Sequence, residues 1–96
     1  RNSMTLTLET FLDEIPELEF QLKRAVQLSD DRAIVDLCRR MRPLYAKVGA
    51  IDISRKCGDL ESAATGNYSN SLEVFNLLRE MIRFRSELYY PLRKAQ

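Results

Sequence analysis

Residues 29–50 read S-D-D-R-A-I-V-D-L-C-R-R-M-R-P-L-Y-A-K-V-G-A, and the spacing of their apolar members decides the fold. Ile34, Leu37, Met41, Leu44 and Val48 recur three and four apart, which lines one face of an α-helix and does not fit the alternation of a half-buried strand. Ser29, Asp30 and Asp31 offer side-chain oxygens to the orphan N–H groups of the helix start, and their charge suits its positive end. Gly49 is the expected stop.

The same spacing extends outward in both directions. From about Leu8 to Leu28 the stripe is Phe11, Ile15, Leu18, Leu22, Ala25 and Val26, and Pro16 is expected to divide it into a short N-terminal lead-in helix and a main helix. Downstream, a helix over Ile51 to Thr65 carries Ile53, Cys57, Leu60 and Ala64, and Gly66 and Asn67 are its expected end. Asn70 followed by Glu73 resembles a capping box. It would open a long last helix bearing Val74, Leu78, Met81, Leu88 and Leu92, with Phe75, Ile82 and Tyr89 beside the stripe and Pro91 expected to kink or end it. The pattern is all-α. Four amphipathic helices with short links pack most simply as an up-down-up-down bundle. Leu37, Met41, Leu44, Val48, Cys57, Leu60, Leu78 and Ile82 are then expected between helices, with Arg39 and Arg42 exposed.

The chain has 96 residues, 45% of them apolar and 30% charged, which fits one compact domain. It contains no His, so every mechanism that needs an imidazole is excluded for this chain acting alone. Two Cys, Cys38 and Cys57, make neither a disulfide framework nor a zinc site, and both fall on or beside apolar stripes as small buried hydrophobes. There is no signal-peptide pattern and no long apolar run, which points to a reduced, cytoplasmic setting without direct membrane contact. The chain opens with Arg1 and carries Met4 just inside, as a piece of a longer protein would.

Charge is uneven along the chain. Residues 1–38 carry four basic and eight acidic side chains, residues 39–58 six basic and one acidic, and the remainder five of each. Arg39, Arg40, Arg42 and Lys47 therefore concentrate positive charge on the second helix, with Arg32 upstream on the same side as Arg39. The net charge of +1 gives no reason to expect nucleic acid, and an acidic protein partner suits the cluster better. Asp13, Glu14, Glu17 and Glu19 read as a solvated acidic face near a helix start, without the spacing of an EF-hand. Gly49, Gly58 and Gly66 are too far apart to cradle a phosphate. The aromatic residues sit mostly on apolar stripes, with Phe20, Phe84 and Tyr90 as possible exposed exceptions.

Cys38 to Ala50, C-R-R-M-R-P-L-Y-A-K-V-G-A, resembles the signature of histidine phosphotransfer (HPt) domains of two-component phosphorelays, roughly A-H-x-L-K-G/P-x-F/A/Y-x-x-L/V-G-A. Aligned without gaps, Arg39 falls where the phosphorylated His belongs, Arg42 on the Lys three later and Pro43 on the usual Gly. Cys57 to Glu61, C-G-D-L-E, resembles the family's cysteine and leucine-glutamate pair on the following helix, and Asp30 to Leu37 its entry to the His helix. The resemblance covers about residues 10 to 92. It implies a four-helix bundle that docks the phosphorylation face of a receiver domain of a response regulator or hybrid kinase, often as a module of a hybrid sensor histidine kinase.

The departure lies at the centre of that chemistry. A guanidinium stays protonated and is a poor nucleophile, so Arg39 cannot relay a phosphoryl group. The expectation is a non-enzymatic module that keeps the docking and loses the transfer. Its contact would comprise Arg32, Arg39, Arg40, Arg42 and Lys47, with Val35, Asp36, Pro43 and Ala46 as the packed part. No cofactor or metal is implied for this chain, since the receiver's Mg²⁺ belongs to the receiver. Two other readings stand beside it: a structural or dimerising helical module, and an HPt domain whose His was replaced by design.

Overall fold

A computed structural model describes the backbone of residues 3–65 and 71–95 and the side chains of residues 7–62 and 71–88. It holds four helices, α1 (Ser3–Gln27), α2 (Asp31–Lys47), α3 (Ile51–Thr65) and α4 (Ser71–Ala95), and no strand among the described residues. The expected stops at Gly66 and Asn67, the cap at Asn70, and the side chains of Ala64, Tyr68, Tyr89, Tyr90 and Leu92 lie outside the described residues.

The helix ends follow from local chemistry. Asp30 caps α2, its carboxylate accepting the Ala33 N–H at 3.1 Å. The neighbouring Ser29 has a different task from the one expected of it. It closes α1 in the left-handed region at φ 53°, where its N–H donates to the Val26 carbonyl and that of Asp30 to the Ala25 carbonyl. The end of α2 repeats this pattern with Gly49 at φ 84°, the Gly49 and Ala50 N–H groups donating to the carbonyls of Ala46 and Tyr45. Gly49 takes this conformation without a Cβ penalty, whereas Ser29 takes it at a cost of about 1 kcal/mol.

The expected helix break at Pro16 and helix end at Pro91 need correction. There is no separate lead-in helix, because α1 runs unbroken through Pro16, as α2 does through Pro43 and α4 through Pro91. A proline inside a helix costs about 3 kcal/mol, while burial of each large apolar side chain returns about 1.5–3 kcal/mol. Phe11 and Ile15 before Pro16, and Leu18 and Leu22 after it, are all buried in one cluster, so packing on both sides outweighs the break. Pro16 itself is exposed.

The core joins the stripes of all four helices. Ile15, Leu22, Ile34, Cys38, Met41, Tyr45, Cys57, Val74 and Met81 are its most enclosed members. Phe11, Tyr45 and Phe84 meet edge to face, with ring centroids 5.2 to 6.2 Å apart, so Phe84 belongs to the core and is not an exposed exception. Leu37, Met41, Cys57, Leu60 and Leu78 are buried as expected, Leu44 and Val48 only half-buried, and Ile82 is exposed. The helix pairs α1 with α2, α2 with α3, α3 with α4 and α4 with α1 all pack together. α2 thus has neighbours on both flanks and one face left open. No helix of the described residues is long and apolar enough to cross a membrane.

Candidate functional site

The open face of α2 is set by its hundred-degree step. Arg32, Asp36, Arg39, Pro43 and Ala46 fall on the side opposite Leu37, Met41 and Val48, and all five are exposed. Arg40 and Lys47 flank them and are exposed as well. Arg40 lines a surface groove with Arg24, Leu28 and Asp36, while Lys47 lines another with Thr10 and Glu14. Val35 differs from the expectation. It is only 8% exposed, which removes it from any packed contact and leaves Asp36, Pro43 and Ala46.

Arg39 and Arg42 reach towards α3 and converge on Glu61. The Arg39 Nε donates to Glu61 Oε1 at 3.1 Å, Arg39 Nη1 lies 3.8 Å from Asp36, and Arg42 Nη1 lies 3.6 Å from Glu61 Oε2. The Glu61 side chain is only 18% exposed, whereas both guanidiniums remain about half in water. Gly58 makes room for this arrangement, since a Cβ there would stand 3.3 Å from Arg42 Nη1. Ser54, one turn earlier on α3, donates its hydroxyl to the Arg42 carbonyl at 3.0 Å. α3 therefore supports the base of the arginine pair and leaves its outer donors free. Glu61 and Asp36 offset much of the charge of Arg39 and Arg42. The positive excess of the face comes from Arg32, Arg40 and Lys47, which have no carboxylate partner among the described residues.

Glu61 was foreshadowed only by the leucine-glutamate pair. Its role follows from the register of α3 on α2, which no local pattern states. A second acid–base contact was missed altogether. Glu19, expected on a solvated face near a helix start, is 5% exposed in the middle of α1 and accepts the Arg85 Nε from α4 at 3.1 and 3.2 Å. Burial pushes its carboxyl above the usual glutamate range, against the opposing pull of Arg85. Asp13, Glu14 and Glu17 are exposed as expected.

The cysteines lie behind the face. Cys38 and Cys57 are both fully buried and not joined as a disulfide. The hydrogen bond between them lowers the Cys38 thiol and raises that of Cys57, which burial raises further. Both thiols lie in the α2–α3 seam, out of reach of solvent. Burial likewise pushes up the Tyr45 phenol, with the Glu19 charge adding to it, so that hydroxyl stays neutral in the core. None of these groups meets an open cleft as a base or nucleophile would. What the face presents is an array of exposed donors beside the small side chains Pro43 and Ala46.

Compared with known proteins, the chain matches no family model, no curated protein sequence and no solved structure.

Proposed function

We propose that this chain is an HPt-like bundle, with helices running up, down, up and down, that docks a receiver domain and does not itself carry phosphate. The observation that carries the reading is the placement of Arg39. At the position aligned with the phospho-accepting His, it stands on the open face of α2, its inner edge held by Glu61 and its side chain 58% exposed. Exposed Pro43 and Ala46 beside it permit close approach of a partner. A planar guanidinium with free donors suits the carboxylates or phosphoryl group at a receiver's mouth. The short links 28–30 and 48–50 favour antiparallel neighbours. In this reading the chain is a cytoplasmic, non-enzymatic module of a larger signalling protein such as a hybrid sensor kinase.

The test is a titration against receiver domains encoded beside this chain, at low and high salt. Native sequence should bind weakly and lose affinity with salt, because exposed charges are screened beyond about 8–10 Å at ordinary ionic strength. Arg39→Ala should weaken binding further. Arg39→His, given a phosphorylated receiver, should gain phosphoryl transfer, which also covers the case of a replaced His. Binding indifferent to both salt and Arg39→Ala, or absent for every form, would favour the structural module instead.

A further inference from the structure

A second surface lies on the opposite pair of helices. Phe20 on α1 and Phe75 and Ile82 on α4 are 54%, 37% and 43% exposed. Single exposed hydrophobes are ordinary on a protein surface, but these three converge on one groove of about 350 Å³ along the α1–α4 seam, floored by buried Leu78. A groove between two packed helices has the shape into which a third helix lays an apolar stripe.

Its charges narrow the occupant. Lys23 and Arg79 border the groove and have no carboxylate partner among the described residues. The acid that lines it, Glu19, is already bound to Arg85. The two cations at the groove's edges therefore favour an occupant that brings its own carboxylates beside an apolar stripe. A helix whose apolar stripe is flanked by Asp and Glu would fill the groove and pair both cations.

We propose that the α1–α4 groove is a docking site for an acidic amphipathic helix of a partner protein, separate from the arginine face of α2. The contact would centre on Phe20 and Ile82 as apolar anchors, with Lys23 and Arg79 fixing orientation. Apolar anchors at the centre of such a groove carry most of the binding energy, while charges at its edge set orientation and partner choice.

The probe is a synthetic peptide of about four turns, with Leu on one helical stripe and Glu on both flanks, compared with a counterpart in which every Glu is Lys. Fluorescence anisotropy should show the acidic peptide binding at least about tenfold tighter than the basic one. Phe20→Ser should weaken the acidic peptide by about tenfold or more, Arg79→Glu should shift preference towards the basic peptide, and Arg39→Ala should change neither. Circular dichroism of each variant checks that the fold is kept, which the exposure of all three positions favours. Equal binding of both peptides, binding of neither, or a sedimenting dimer that Phe20→Ser dissolves would overturn the proposal, the last by giving the groove to a second copy.

Discussion

Among the described residues, two glutamates hold arginines of another helix, and their contacts differ in how much water they keep. Glu19 on α1 is almost wholly buried at the base of the α1–α4 groove, with Arg85 31% exposed beside it. Glu61 on α3 is nearly as withdrawn, yet the two arginines it holds stay about half in water. The same chemistry therefore has two consequences. In the first contact, the partner's charge is consumed by the need to offset a buried carboxylate. In the second, the carboxylate orients guanidiniums whose outer donors remain available, and an exposed pair contributes little to stability. One contact is taken up inside the fold, while the other leaves its guanidinium donors exposed on the α2 face.

The largest effect that can break this contrast is removal of Arg85. Arg85→Met keeps much of the packing stem and leaves Glu19 buried without its cation, and it should cost about 2–3 kcal/mol in urea denaturation at neutral pH. Because burial already holds the Glu19 carboxyl above its ordinary range, the fold prefers the neutral form. Its contribution to stability is complete below the ordinary glutamate range and is lost as pH rises through the raised value. Removing Arg85 raises that value further, so the cost should shrink in acid. A cost independent of pH would show that packing, and not the buried charge, dominates at this site.

A smaller and opposite effect is expected at Gly58. Ala there gains about 0.5–1 kcal/mol of helix propensity in α3, and its Cβ meets only the mobile end of Arg42. Thermal melts should therefore show Gly58→Ala as stabilising. A loss instead would mean that Arg42 is pinned as firmly as Arg85, and the contrast between the contacts would narrow.

Smallest in stability is Glu61→Gln, expected to change it by less than about 0.5 kcal/mol. Its effect should appear in binding, since two guanidiniums released from their carboxylate raise the positive charge of the α2 face. Affinity for a receiver domain at low salt should rise by about two- to fivefold. A fall would show that Glu61 orients Arg39 more than it neutralises it, which sharpens the same comparison.

These contacts also mark where the sequence stopped being readable. The bounds of α2 and α3 were legible because Asp30, Gly49 and the apolar spacing act within a few residues of each other. Pro16 misled because its cost is local, while the compensating burial of Phe11, Ile15, Leu18 and Leu22 depends on two other helices, α2 and α4. Ile82 misled for a related reason. Helical spacing gives the centre of an apolar stripe but not the width that neighbours cover, and residue 82 lies in the α1–α4 groove, where α1 leaves it exposed. The outward face of α2 could be read from its period, including exposed Arg39 and Arg42. Val35 could not, since its burial depends on packing around α2. Glu19 and Glu61 find their partners 66 and 22 residues away, and no pattern along the chain pairs them.

The central claim is that the α2 face, and not the α1–α4 groove, meets a receiver domain. Amide chemical-shift mapping of the labelled chain during titration with a receiver domain at low salt tests it directly. Shifts concentrated at Arg32, Asp36, Arg39, Arg40, Ala46, Lys47 and Glu61, with Phe20, Phe75 and Ile82 unmoved, are the predicted result. Shifts confined to the groove, or none at saturating receiver, would contradict the account.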